Sequence, residues 1–445
     1  NEMPATPAKP VWLDFSKDLQ KGKIGPAEVL YVPNTTNPIF RLSYRYDMGT
    51  WTNKKLGMAA QYIQFLGTDK KTAEDISKEF YKIACSFNVS AGTEFTTISI
   101  EGLQENFDKA VSLFEELMQN CKPDEEALAA LKARLKKARA DAKANKGSIM
   151  NGLTNYARYG AKNPFNYVLS DGELEGTTSA ELLVLLKDMN NLPHKICYYG
   201  PADLPELSKT VAGAHKIPAT FKQPTSKTDF KPAVQQSNSV LFADYNMVQS
   251  EIRWVRNTAP YNPQQEPVAD VFNNYFGGGM GAIVFQTIRE SKALAYSTFA
   301  VYLVPQKKED WFSTIAYVGC QADKFHESVA AMNELLNEIP EVEANILFAR
   351  DGIKKDIETG RITQDGIIGT YLTAERKGLK DDIRKQTYEA VDKIGYKELK
   401  DFHSQYIAAK PYTYCVLASE ANLKQADLEK YGSFKKLSLE EIFGY

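Results

Sequence analysis

The chain repeats itself at a fixed offset, and that repeat constrains its fold more than any local motif does. The segments ISIEGLQENFDKAVSLFEELMQN and IAYVGCQADKFHESVAAMNELLNEI share one plan: an alternating strand, a Gly-x-Gln turn, then an amphipathic helix. Phe107, Val111, Phe114 and Met118 recur as Phe325, Val329, Met332 and Leu336, each 218 residues later. Within each copy the spacing of four, three and four places these side chains on one helix face. Further on, ICYYGPADL and TYCVLASEANL match in type, and Cys197 precedes Cys415 by the same 218 residues. The seam lies in FKQPTSKTDFKPAVQQSNS, polar and proline-bearing, which divides the chain into repeats 1–222 and 223–445. Mixed helices and half-buried alternating strands argue for an α+β fold, each repeat a largely antiparallel sheet covered by helices. The clearest single helix is PDEEALAALKARLKKARADAKANKG, with Pro at its start, acids in its first turn, bases later and Gly at its end.

At 445 residues such a chain needs more than one core. Charged residues at 25% and apolar ones at 43% are globular values, and a net charge of -2 gives no footprint for nucleic acid or an anionic membrane surface. No apolar run has the length of a transmembrane helix. Five widely spaced cysteines (Cys85, Cys121, Cys197, Cys320 and Cys415), without a C-x-x-C pair, read as small buried hydrophobes. The opening NEMPATPAKP resembles an interdomain linker, so the expectation is a chain lying downstream in a longer polypeptide. Compartment stays open, a periplasmic or cell-envelope setting included.

The stretch YFGGGMGAIVFQTIRESKALAYS invites a phosphate-binding reading, and its details reject it. A P-loop requires Lys-Ser/Thr after the last glycine, whereas Gly281 is followed by Ala282, Ile283 and Val284. A dinucleotide fingerprint requires a preceding strand, but Val268, Val271, Phe272 and Tyr275 have helical spacing. Gly277, Gly278 and Gly279 therefore read as a turn that ends one helix and admits left-handed backbone before the next. His194, His215, His326 and His403 stand too far apart for a local His-x-x-Glu-His or His-Glu-x-x-His site, and no G-x-S-x-G elbow occurs.

The same stretch resembles the C-terminal signature of the pitrilysin/insulinase/mitochondrial-processing-peptidase family of inverted-motif zinc peptidases. Gly277, Gly278, Gly279, Met280, Phe285, Ile288, Arg289, Glu290, Leu294, Ala295, Tyr296 and Ser297 fit that pattern without a gap. The resemblance extends to the two-repeat architecture and implies one half of a clamshell peptidase. In the family's functional half, His-x-x-Glu-His precedes a Gly-Thr. Counting back from Gly67-Thr68, the two histidine positions hold Met58 and Tyr62 and the base position holds Gln61. The third ligand, a glutamate, has no counterpart around Ala138. The resemblance thus implies no metal in this chain, with zinc expected in a catalytic partner half, upstream on the same polypeptide or on a separate subunit.

What remains is the pair that the family's partner half contributes, an arginine and a tyrosine seven residues apart: Arg289 and Tyr296. A guanidinium and a phenol are donors able to grip a peptide carbonyl and stabilise developing oxyanion charge. The expectation places Arg289 near a helix end and Tyr296 at the start of a strand, close together on a concave surface between the repeats. Gly277 to Gly279 would leave backbone exposed to substrate. Two classes of function follow. One is the substrate-binding, zinc-free half of a metalloendopeptidase acting on unfolded peptides. The other is a catalytically dead structural or binding module, like the respiratory-complex core subunits that resemble these peptidases.

Overall fold

A computed structural model describes residues 8–445; the linker-like reading of the opening segment lies mostly outside them. Two six-stranded sheets are formed. The first contains β1 Gln20–Ile24, β2 Ala27–Pro33, β3 Ile39–Tyr46, β4 Cys85–Ala91, β5 Thr96–Leu103 and β6 His194–Gly200, in the order β1-β2-β6-β3-β5-β4. The second contains β7 Ser239–Asp244, β8 Gln249–Pro260, β9 Ala295–Leu303, β10 Trp311–Gln321, β11 Thr413–Ala418 and β12 Ser433–Lys436, in the order β12-β7-β11-β8-β10-β9. From β2 and β7 onward the two orders coincide, which is the duplication expressed as topology. The edge strands β1 and β12 break it: β1 is a hairpin partner of β2, whereas β12 arrives from the far end of the chain and runs parallel to β7. Antiparallel pairings are the majority, with β2–β6, β7–β11 and β7–β12 the parallel ones.

Strand chemistry follows burial. In β3, Phe40, Leu42, Tyr44 and Tyr46 alternate into the first core. In β10 the residues from Phe312 to Cys320 are all buried: Phe312, Ala316, Val318 and Cys320 face the second core, while on the other face Tyr317 stacks on Phe299 of β9. Helix Phe325–Asn337 buries Phe325, Val329, Met332 and Leu336 on one side, the face its spacing predicts. Helix Phe107–Asn120 does the same in the first repeat with Phe107, Val111, Phe114 and Met118.

The repeats also exchange helices. Helix Lys146–Tyr159 belongs to the first repeat, yet Ile149, Met150 and Leu153 pack on Leu241, Ala243, Val255, Cys415 and Leu417 of the second sheet. Its counterpart Ile367–Lys377 sets Ile367 and Ile368, again 218 residues on, against Leu30, Val32 and Cys197 of the first sheet. The connecting segment around 221–238 has no regular structure but is pinned: Thr228 N–H donates to Trp51 O at 2.9 Å and Ala233 N–H to Arg158 O at 2.7 Å.

One boundary differs from the sequence reading. The long helix runs Glu125–Ala144 with Asp124 as its N-cap, and Asn145 both ends it and caps the next helix by accepting from Ser148 N–H. Gly147, read as a terminator, lies inside that next helix. Asn145 wins because a side-chain cap satisfies the new helix's free N–H groups, which glycine cannot do.

Candidate functional site

The region where the resemblance would place zinc is formed by helix Leu56–Tyr62 and the long helix Glu125–Ala144. Met58, Gln61 and Ala138 do meet there, lining a cavity of about 340 Å³ with Leu135, Arg139 and Leu174. Tyr62 turns away from it. Its ring is fully buried, and its hydroxyl donates to Asp124 O at 2.9 Å and accepts from Asp124 N–H at 2.8 Å. Gln61 donates to Gly57 O at 3.3 Å and accepts from Arg134 at 3.4 Å. A buried thioether, a neutral amide, a committed phenol and a methyl group do not fit a zinc ion, which takes imidazole, thiolate or carboxylate ligands. Among the described residues no group of three or more His, Cys, Asp or Glu is placed to hold a metal.

The glycine stretch is a loop between two wide helical turns of π type, Asn273–Gly277 and Phe285–Ser291. Gly277 is buried against β9: a Cβ there would lie 1.8 Å from Ala300 O. Gly279 has φ +95°, which glycine alone adopts cheaply. Gly278, Gly279 and Met280 are exposed. The side chain of Asn273 locks this turn to β9, donating to Tyr302 O at 3.0 Å and accepting from Tyr302 N–H at 2.7 Å.

Arg289 sits near the end of the second wide turn. Its half-exposed guanidinium lies 3.7 Å from Glu290 and 4.9 Å from the centre of the Phe285 ring. Tyr296 is the second residue of β9 and is 39% exposed, an unusual position for an aromatic ring on a sheet. Burial of part of the phenol, then the Glu251 carboxylate, raise its pKa, so at neutral pH it is a donor. No hydrogen bond or ion pair joins Arg289 to Tyr296 directly among the described residues. Both stand where helix-to-strand reasoning puts them.

Sequence spacing hid one polar cluster. His194 and His215 meet across the first core, Nε2 to Nε2, at 2.9 Å, and His215 Nδ1 lies 2.6 Å from Glu115 Oε1. Tetrahedral zinc–nitrogen bonds of about 2.05 Å would hold two such nitrogens roughly 3.3 Å apart, and the 2.9 Å found is the length of a direct hydrogen bond, so this is a hydrogen-bonded chain rather than a ligand set. Its members come from two strand and helix ends and a distant helix, and no local motif announces it.

Residues 59–166 match the family described as Insulinase (Peptidase family M16), and residues 195–341 match the one described as Peptidase M16 inactive domain. A non-peptidase homolog, YmxG of Helicobacter pylori, is 23% identical over 88% of this chain and 92% of its own length. An uncharacterized zinc protease of Rickettsia felis is 26% identical over 59% of this chain and 62% of its own. The fold is shared with the periplasmic protease PqqL of Escherichia coli at TM-score 0.71 and 12% identity, across 94% of this chain and 47% of that one. The chain therefore spans under two thirds of the Rickettsia protein and under half of PqqL. It belongs to the M16 peptidase family. Within that family it is a module of the catalytically inactive type.

Proposed function

We propose that this chain is the substrate-binding half of a zinc endopeptidase, built from duplicated units 1–222 and 223–445. The observation that carries the reading is an asymmetry. The two zinc-histidine positions hold Met58 and Tyr62, the base position holds Gln61 and no glutamate stands around Ala138, while Arg289 and Tyr296 persist as exposed donors near an exposed glycine loop. All metal chemistry would then belong to a His-x-x-Glu-His half. This chain's own contribution is to hold an extended, unfolded peptide, partly by strand addition, and to donate from Arg289 and Tyr296 to a carbonyl oxygen as negative charge develops on it. The two halves would close on the peptide as a clamshell.

The test is reconstitution with a His-x-x-Glu-His half of the same source and an unstructured peptide substrate. Arg289→Ala or Tyr296→Phe is expected to lower kcat/KM by about 10²–10³, the usual cost of an oxyanion-directed donor, with melting temperatures unchanged. A surface ion pair such as Arg289–Glu290 contributes at most about 1 kcal/mol of stability and nothing to rate. Full activity in both variants would overturn the reading. The chain alone is expected to retain no zinc after dialysis against a mild chelator, and one tightly held ion per chain would overturn the assignment of its first repeat. The similarity to YmxG favours a second reading, a binding module without any role in catalysis; the same two variants separate the two.

A further inference from the structure

The ladder between β9 and β10 is broken at one point. Gly319 pairs with Ser297 and Cys320 pairs with Ala295, so Tyr296 is an extra residue bulged out of β9. In an unbroken ladder Tyr296 would lie opposite Cys320, which is fully buried in the second core, and would face that core with it. The bulge delivers the phenol to the other face instead, above Gly319. There the fit is close: a Cβ on residue 319 would lie 2.6 Å from both Cζ and the hydroxyl of Tyr296, and 2.8 Å from the hydroxyl of Tyr317. The backbone at 319 is in an ordinary strand conformation, so the glycine is not there for φ. What requires it is the space the two phenols occupy.

The same row of the sheet continues into charge. Gly319 pairs on its other side with Glu251 of β8, whose buried carboxylate lies 2.6 Å from Lys146 at the start of helix Lys146–Tyr159. Arg253, next on that face, binds Asn151 and Thr154 of the same helix at 3.0 and 3.2 Å. The phenol of Tyr296 thus stands over a floor from the second repeat and beside a cation from the first. We propose that Gly319, with Tyr317 and the Lys146–Glu251 pair, forms the positioning device for the Tyr296 hydroxyl. Gly319 leaves the space, Tyr317 borders it, and the ion pair fixes the helix end next to it. The device rests on the proposed donor role of Tyr296 for its purpose, but its geometry can be tested without it.

The experiment has two arms. In the first, the full chain carrying ¹³Cζ-labelled tyrosine is observed by NMR, with the Tyr296 signal assigned from Tyr296→Phe. Gly319→Ala is expected to move the Tyr296 and Tyr317 signals and leave the other tyrosines in place. The fold should survive, because the atoms displaced are far ends of side chains and not backbone. Should Gly319→Ala fail to fold, Tyr317→Phe supplies the same readout. An unmoved Tyr296 signal would overturn the proposal whatever the activity. In the second arm, the reconstituted peptidase carrying Gly319→Ala is expected to lose about 10- to 100-fold in kcat with KM held, the scale of a misplaced group, and to lose nothing further when Tyr296 is already Phe. Equal losses in both backgrounds would show a merely structural glycine and overturn the proposal. A moved signal with unchanged kcat, while Tyr296→Phe remains impaired, would overturn the positioning role alone. Full activity of Tyr296→Phe would overturn the donor reading itself.

Discussion

The proton placement in the buried histidine pair follows from its partners. His194 Nδ1 faces Leu192 O at 2.7 Å, and a carbonyl only accepts, so Nδ1 carries the hydrogen. A neutral His194 must then accept at Nε2 from His215, which in turn shares a proton with Glu115. Asn190 also binds Glu115, at 3.3 Å, and is itself held by the Tyr46 hydroxyl at 2.8 Å, so the chain is satisfied with His194 neutral. Burial, and secondarily the charge of His215, push the His194 pKa down from 6.5 to about 4. The sign is set by the unfolded state, which takes up a proton near pH 6.5 that the folded state refuses until about 4. Stability is therefore fully present above pH 6.5 and falls as the pH drops through that window, by about 3 kcal/mol in all. His194→Gln is expected to flatten this loss in urea melts taken between pH 7 and 4; parallel curves for variant and parent would contradict it. None of this was legible in the sequence, where the two histidines lie 21 residues apart and Glu115 lies 100 residues before His215. The elements holding Arg289 and Tyr296 were legible, a helical turn near its end and a strand at its start, whereas the pairing itself came from the family resemblance.

At the scale of elements, the glycine loop separates what a sequence can tell from what it cannot. Periodicity fixed the helix before it, with Val271, Phe272 and Tyr275 buried as spaced. It did not show that both flanking helices widen into π turns, a form associated with functional sites, nor that Asn273 in the first of them is bonded to Tyr302 of β9. Nor could it distinguish the glycines. Gly279 serves φ, whereas Gly277 serves contact, and the contact is with backbone atoms of Ala300 that cannot move without moving β9. Gly277→Ala is thus expected to cost about 3 kcal/mol or more, the upper range for overpacking. Gly279→Ala should cost only about 1–2 kcal/mol, the strain of left-handed backbone. Chemical denaturation of the two variants checks the order, and a smaller loss for Gly277→Ala would show that β9 yields. The bulge at Tyr296 was equally hidden, for nothing in AYSTF marks which residue is extra; only the pairing with β10 does.

At the scale of the whole molecule, the duplication predicts two equivalent units, but the exchanged helices make them one cooperative body. The first repeat's helix Lys146–Tyr159 closes the second core's outer face, and Ile367–Lys377 covers the back of the first sheet. Charge reinforces the exchange. Burial alone would raise the Glu94 carboxyl, but Lys227 at 2.6 Å and Lys307 at 3.0 Å hold it below its ordinary range, and Arg376 pairs with its other oxygen. One acid of the first repeat thereby ties down the connecting segment and two bases of the second. The offset in the sequence could not reveal this, because identical amphipathic faces do not say which sheet each will cover. Leu153 offers a direct test. It is fully buried, sits in the first repeat, and its carbonyl accepts from the Cys415 thiol of β11 at 3.4 Å. Leu153→Ala is expected to cost about 2–5 kcal/mol and to lower hydrogen-exchange protection in β7, β8 and β11, more than 80 residues away in sequence. If the repeats were independent, the loss would stay within residues 1–222 and a fragment of that span would melt cooperatively on its own. The expected result is the opposite: the fragment, with Ile149, Met150 and Leu153 stripped of their partners, binds hydrophobic dye and shows no sharp transition. A fragment that folds would mean that the exchanged helices decorate two finished domains, and the view of one cooperative body would be wrong.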